Sequence, residues 1–254
     1  MGRRGESWCH NVVIKSMDNV VMAVGKAKLD SSADERRTRF LDAAIRLLED
    51  DGPAEIKARA VATAAGSTTM GLYTQFGSIP DLLKAVVDEG FRRQAVIFGD
   101  APKRGDPLAN LASIGLACRR FAYGSPHLYD LMYGLSLHER YNNDRGERSM
   151  SGNHLPPAFD AVFSILLTAC EQMHHALPIA TADPQHTAYQ VWSTLHGFLM
   201  LDLAGHFDQV ADPAAEIMLP MCINLVVGMG ADRVQAERSA ADALAWWAER
   251  DSTT

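Results

Sequence analysis

The sequence is poor in several features, and each shortage removes a class of protein. Its four cysteines, Cys9, Cys118, Cys170 and Cys222, are scattered with no close pair. This excludes a disulfide framework or a cysteine-rich zinc site and fits free thiols in a reducing compartment, for which the cytoplasm is the simplest address. No apolar run reaches the length of a membrane span. The patch at residues 12–14, though preceded by Arg3 and Arg4, is far too short for the apolar region of a secretion signal. His138, His154, His174 and His175 match no zinc spacing, and adjacent histidines point to different faces of a helix, so these read as solvated side chains. No Ser/His/Asp, Cys/His or glycine-rich phosphate pattern stands out, and no spacing joins His196 to Asp202 or Cys170 as a catalytic set. Neither an enzyme, a metal site nor a cofactor is expected. Positive charge is scarce too: 24 Lys and Arg stand against 31 Asp and Glu, a net charge of −7. That argues mildly against a nucleic-acid binder. Such a protein needs only a local basic face, however, because affinity for phosphate is set by the residues that reach the backbone.

What is present is a chain of 254 residues, 47% hydrophobic and 22% charged. That is enough for a sizeable soluble core, in one large domain or a small one joined to a larger one. The most informative stretch is residues 57–76, K-A-R-A-V-A-T-A-A-G-S-T-T-M-G-L-Y-T-Q-F. Residues 58–65 are mostly Ala, the best helix former, with Val61 as the bulkiest apolar side chain. Gly66 breaks this helix, because glycine takes the left-handed conformation a tight turn needs. Ser67 or Thr68 can cap a second, very short helix that ends near Thr74. Two helices joined by a tight glycine turn make a helix-turn-helix, whose second member can enter the DNA major groove. That member would offer Thr68, Thr69, Met70, Gly71, Tyr73, Thr74 and Gln75. Hydroxyls and an amide suit phosphates and base edges, glycine allows close approach, and a methionine can touch a thymine methyl. The local bases Arg36, Arg37, Arg39, Lys57 and Arg59 are interleaved with Asp34, Glu35, Asp42 and Glu55, so a basic face has to come from geometry.

Ala44 and Leu47, then Gly52, Val61-Ala62, Ala65-Gly66, Leu72-Tyr73 and Phe76, and finally Asp81-Leu82-Leu83 form a specific pattern. Its core is G-x(5)-L-Y-x-x-F followed at short range by D-L-L. On these residues, positions 37–91 resemble the DNA-binding domain of the tetracycline-repressor (TetR) family of bacterial regulators. The resemblance implies an all-α, dimeric DNA-binding regulator. On that reading Arg59 and Tyr73 hold the DNA backbone, Thr74 and Gln75 assist, Lys57 joins the DNA-binding set, and Thr68, Thr69, Met70 and Gly71 face the bases. One position departs from the family. Where many members carry Lys in an S-K-x-x-L-L run, this chain has Ile79. A charge-assisted phosphate contact is thereby lost, although a helix N-terminus can still hold a phosphate through its N–H groups. Much of the recognition then rests on van der Waals fit, hydroxyls and DNA shape.

Around this motif the chain reads as a series of helices. Residues 1–32 have no strong period and are expected to be a disordered leader, with Met17 and Met22 as alternative starts. The other reading is a basic arm along DNA carrying Lys15, Lys26 and Lys28. The first helix is predicted over 33–50, capped by Ser31 or Ser32 and buried through Phe40, Leu41, Ala44, Leu47 and Leu48. After the helix-turn-helix, a longer helix over 80–98 starts at Pro80 and turns Leu82, Leu83, Val86, Val87 and Phe91 inward, with Gly90 as a weak point within it. A breaker-rich link at 101–107 leads to predicted helices at 108–123, 127–135, 158–177, 184–206, 213–229 and 235–250. Residues 137–157 are polar and read as a long loop. Trp246-Trp247 would anchor the last helix.

P-H-L-Y-D-L-M-Y at 126–133 and W-S-T-L-H-G at 192–197 are similar to one TetR-family C-terminal domain type, marked by a W-x-x-x-H-G helix. That similarity implies a helical body that binds small molecules and dimerises. Tyr189, Trp192, His196, Leu199 and Leu203 share a helix face. They are either plain core, or Trp192 and His196 line a ligand cavity with Phe121, Met132, Tyr133, Phe163 and Leu166. Residues 217–229 are apolar nearly all round, so that helix must be buried. Burial within one subunit would serve, but a two-helix face paired with its symmetry mate is preferred, with a kink at Pro220. The expected organisation is a leader at 1–32, a helix-turn-helix head at 33–80, a ligand-binding and dimerising body at 81–235, and a C-terminal helix and tail at 236–254. The expected partners are operator DNA, a small apolar effector and a second copy of the chain, with no membrane. The alternative is a helical small-molecule-binding or interaction protein whose head has lost DNA binding.

Overall fold

The computed structural model describes residues 33–101, 105–133, 156–179 and 183–251. The leader with its lysines and caps, the loop at 137–155 with His138 and His154, and the last residues of the tail lie outside them. Among the described residues all regular structure is helical. α1 spans residues 33–51 and a 3-10 turn follows at Pro53–Glu55. Then come α2 (Ala58–Ala64), α3 (Thr69–Phe76), α4 (Ile79–Gly99), α5 (Pro107–Gly124) and α6 (Pro126–Tyr133). The chain continues with α7 (Pro157–Ala176), α8 (Pro184–Leu203), a π-helical turn at Ala214–Met218, α9 (Leu219–Gly228) and α10 (Arg233–Asp251). No helix among these residues is long and apolar enough to cross a membrane.

Helix starts follow local chemistry. The side chains of Thr68, Ser78, Asp106 and Asp183 accept backbone N–H groups at the starts of α3, α4, α5 and α8. Prolines occupy the first turns of α4, α5, α7 and α8, where a missing N–H removes nothing. Gly66 (φ 60°) and Gly77 (φ 81°) adopt the left-handed backbone that closes the turns on either side of α3.

α1, α2 and α3 enclose a small core of Phe40, Leu48, Val61 and Leu72. Phe40 and Phe76 meet edge to face at 5.9 Å, and the Arg37 guanidinium covers the Phe76 ring at 4.9 Å. α4 leaves this head and runs into the body, where α5 lies at the centre, mostly buried. α10 lies along α5, with Trp247 buried and Ser239 donating to the Asp106 carboxylate at 2.6 Å. The last helix therefore packs against the body's central helix.

Two expectations need correction. Residues 213–229 do not form one α-helix bent at Pro220. A π-helical turn at Ala214–Met218 comes first and α9 starts at Leu219, with Pro220 in its first turn. Proline lacks the N–H that an α-turn would use and its ring crowds the carbonyl four residues back, so the wider turn precedes it. His174 is not a solvated side chain: it is half-buried, with Nε2 2.9 Å from the Thr187 hydroxyl, whereas His175 is exposed. Within a single chain the apolar segment at 217–229 is only partly covered: Met221 is 38% exposed and Cys222, Ile223, Leu225 and Val227 are half-buried.

Candidate nucleic-acid interface and effector site

α3 is divided cleanly. Leu72 and Phe76, four residues apart, are buried against the head core, while Thr69, Met70, Tyr73 and Thr74 face solvent. Met70 is 74% and Tyr73 46% exposed, far outside the usual range for such side chains in a core. The Thr68 hydroxyl accepts the Gly71 N–H at 3.1 Å and so starts the helix. Gly71 has an internal reason to be glycine: a Cβ there would lie 3.1 Å from the Ser67 hydroxyl and 3.4 Å from that of Thr68. Thr74 donates its hydroxyl to the Met70 carbonyl at 2.8 Å, leaving only its oxygen lone pairs for another partner. Gln75 is half-buried beside them. Arg59 is exposed on α2, but Lys57 is held by the Glu55 carboxylate at 3.0 and 3.1 Å. Of the two, Arg59 is the better placed to meet a phosphate. Ile79 packs partly against the core, and Ser78 with Asp81 and Lys84 closes the start of α4.

In the body, four of the seven sequence-predicted ligand residues come together. Trp192 and Tyr133 lie 4.1 and 4.3 Å from the His196 ring, and Phe163 meets Trp192 at 6.0 Å. Met132 packs instead against Gly90 of α4, where an added Cβ would sit 2.5 Å from its sulfur. Leu166 is buried on α7, and Phe121 is buried on α5 without a ring contact to this cluster among the described residues. Sequence reasoning missed Phe91, Tyr129 and Phe159. Tyr129 stacks on His196 at 5.7 Å, Phe159 meets Trp192 edge on at 5.5 Å, and Phe91 touches both Tyr133 and Phe159 at 5.4 Å. Two of these carried a signal, since Tyr129 and Phe159 lie one helical turn before Tyr133 and Phe163.

The cluster contains a buried polar network. Tyr133 donates to Gln94 Oε1 at 2.6 Å, Gln94 donates to Cys118 Sγ at 3.4 Å, and the Tyr129 hydroxyl is 2.5 Å from His196 Nδ1. Burial pushes the Cys118 thiol up to about 12 and both tyrosines above their ordinary value, so all three stay neutral. The same burial holds the His196 imidazole down to about 3, and it too is uncharged at neutral pH. His196 Nε2 is buried with no hydrogen-bond partner among the described residues. A separate apolar cavity of ≈ 40 Å³ lies between α5, α8, α9 and α10, with Leu111, Leu195, Cys222 and Ala240 in its wall. None of the seven predicted residues lines it, and it falls well short of the roughly 300–1,000 Å³ of small-molecule pockets.

Polar contacts tie head to body. The Glu49 carboxylate near the end of α1 accepts the Leu128 N–H of α6 at 2.9 Å and that of His127 at 3.4 Å. The Arg93 guanidinium of α4 reaches Asp42 of α1 at 2.5 Å.

Comparison with known proteins agrees with this geometry. Residues 40–86 match the family described as bacterial regulatory proteins, tetR family, and residues 111–221 match the tetracyclin repressor-like C-terminal domain. The chain is 25% identical over 196 residues to an uncharacterized HTH-type transcriptional regulator of Mycobacterium tuberculosis, over 76% of this chain and 81% of that protein. Its fold is similar to that of a protein of unknown function from Rhodococcus sp. RHA1, with a TM-score of 0.61 and 22% identity over 77% of this chain and 96% of that one. It is also similar to RolR in complex with its ligand resorcinol, with a TM-score of 0.56 and 15% identity over 83% and 95% of the two chains. With one family matched in both the head and the body, the chain belongs to the TetR family of DNA-binding transcriptional regulators, a class of proteins that are not enzymes.

Proposed function

We propose that this regulator is a ligand-responsive repressor that binds a palindromic operator as a homodimer in the bacterial cytoplasm. The observation that carries the reading is the two-faced α3. A helix this short spends Leu72 and Phe76 on the head core and leaves a row of hydroxyls, a methionine and a tyrosine outward, the surface a major groove would read. In this proposal the head is residues 33–80, the body 81–235 and the closing helix and tail 236–254. Arg59 and Tyr73 hold the DNA backbone with help from Thr74 and Gln75. Lys57 adds charge once Glu55 releases it, and Thr68, Thr69, Met70 and Gly71 face the bases. Ile79 brings no charge to the start of α4, so fewer phosphates are neutralised.

The dimer would form through α8 and α9. Met200 and Leu201 on α8 are 40% and 46% exposed, and the apolar α9 beside them is only half-covered in a single chain. Apolar side chains left this open on neighbouring helices fit a partner surface. A second copy related by a two-fold axis would cover them and set the two heads a fixed distance apart. The effector would bind at the aromatic cluster around Trp192 and His196 and act by favouring one spacing of the heads over another. Support for a path comes from α6. It carries Tyr129 and Tyr133 at the cluster, while its first turn is held by Glu49 of the head. Selection of bound fragments from genomic DNA tests the reading. An inverted repeat with half-sites about one helical turn apart is expected; enrichment of a lone half-site, or of nothing, would contradict it.

A further inference from the structure

The buried polar groups of the body form two hydrogen-bonded runs. Tyr133 donates to Gln94 and Gln94 donates to Cys118 Sγ, while the Tyr129 hydroxyl lies 2.5 Å from His196 Nδ1. A phenol O–H is a stronger donor than a neutral imidazole N–H, and an imidazole nitrogen is a better acceptor than a phenol oxygen. Tyr129 is therefore assigned as donor and Nδ1 as acceptor, which puts the ring proton on Nε2. Nε2–H is then a donor left open. It is buried and has no partner among the described residues, and the rings of Trp192 and Tyr133 pack on the imidazole that carries it. A buried donor left unpaired is unfavourable, and a ligand oxygen would satisfy it.

We propose that the effector is a neutral, flat aromatic or conjugated compound that presents a carbonyl-type oxygen to His196 Nε2. This rests on the reading that the aromatic cluster is the effector site. Flatness follows from the walls: Trp192, Phe159, Phe163 and Tyr133 meet one another mostly edge to face, and a ring entering among them finds both faces and edges to pair with. Neutrality follows from charge. The cluster holds no cationic side chain among its described members, and Arg119 of the neighbouring α5 is committed to Asp202 at 3.0 Å. The imidazole itself is uncharged, because burial disfavours its protonated form. A carboxylate placed there would lose its water without gaining a counter-charge. An oxygen acceptor is required because the open group of the protein is a donor.

Calorimetric titration of the full-length protein with three probes of one shape tests this: 2-acetylnaphthalene, 2-ethylnaphthalene and 2-naphthoate. The ketone is expected to bind at least about tenfold more tightly than the hydrocarbon and the anion. His196→Phe should abolish the preference for the ketone over the hydrocarbon, and His196→Gln, which keeps an N–H donor, should restore part of it. Should His196→Phe fail to fold by circular dichroism, the preference in the wild type and in His196→Gln decides. Equal binding of ketone and hydrocarbon, or tightest binding of the naphthoate, overturns the chemical class; if Trp192→Ala then abolishes binding, the site itself stands. Probes that do not bind, or whose binding Trp192→Ala leaves unchanged, overturn the site and the proposal together.

Discussion

Removing the Glu49 carboxylate should loosen the head from the body. The first turn of α6 has few donors to satisfy. Pro126 has no N–H, and Tyr129 donates to the Ser125 carbonyl at 2.9 Å. The N–H groups of His127 and Leu128 both go to Glu49, whose carboxylate comes from a helix nearly eighty residues earlier. Glu49→Ala leaves both without a protein acceptor, and Leu128 is fully buried. A lost helix cap costs about 0.5–2 kcal/mol, and the charge of the acceptor puts this one in the upper half of that range. In a chain of this size about 1 kcal/mol moves the melting temperature by roughly 2–4 °C, so Glu49→Ala should lower it by about 2–8 °C. Glu49→Gln keeps an acceptor oxygen and should lose about half as much. Asp50→Ala next to it, on an exposed side chain, should stay within about 0.5 kcal/mol. Thermal unfolding followed by circular dichroism reads all three. If Glu49→Ala and Asp50→Ala melt together, the carboxylate does not cap α6 and the link between head and body has to run elsewhere. A second readout uses the same variants: with the cap gone, an effector bound in the body should change DNA affinity by a smaller factor than in the wild type.

Other expectations follow from the same geometry. Arg59→Ala should weaken binding to all duplexes alike and lower the salt slope by about one counterion, as measured by fluorescence anisotropy at several salt concentrations; a change in preferred base would overturn the backbone assignment. Leu72 is completely buried, so Leu72→Ala should cost about 2–5 kcal/mol in chemical denaturation and abolish specific DNA binding, whereas Met70→Ala, on the exposed face, should leave stability nearly unchanged and alter sequence preference. Burial lowers the His196 imidazole from its ordinary 6.5 to about 3, so the unfolded chain takes up a proton that the folded chain refuses. This contribution to stability is present above pH 6.5 and falls as the pH drops toward 3, by at most about 1.4 kcal/mol per pH unit. His196→Phe should remove that part of the slope in denaturation curves taken across the window.

The head was legible because its signals are local. Gly66 closes one turn, Thr68 caps the next helix, and Leu72 and Phe76 share a face one turn apart, so each depends on neighbours within a few residues. The body was legible only where helical spacing alone sufficed, as for Trp192 and His196. Phe91, Gln94, Cys118 and Tyr129 belong to three helices, and only the crossing of those helices brings them together, which no periodicity within one helix reports. Nothing near Glu49 in sequence reveals that it caps α6. The wide turn at Ala214–Met218 was hidden for a related reason. Pro220 announces a disturbance, but whether the helix bends or widens depends on what packs against it.

The most direct test of the account is the affinity of the protein for a palindromic duplex recovered from genomic selection, measured against a scrambled duplex as salt rises from about 50 to about 200 mM. One dimer bound per palindrome is predicted, with tighter binding than to the scrambled sequence and affinity that falls steeply with salt. Equal affinity for the two duplexes, or binding that salt leaves unchanged, would contradict the claim that α3 reads a groove.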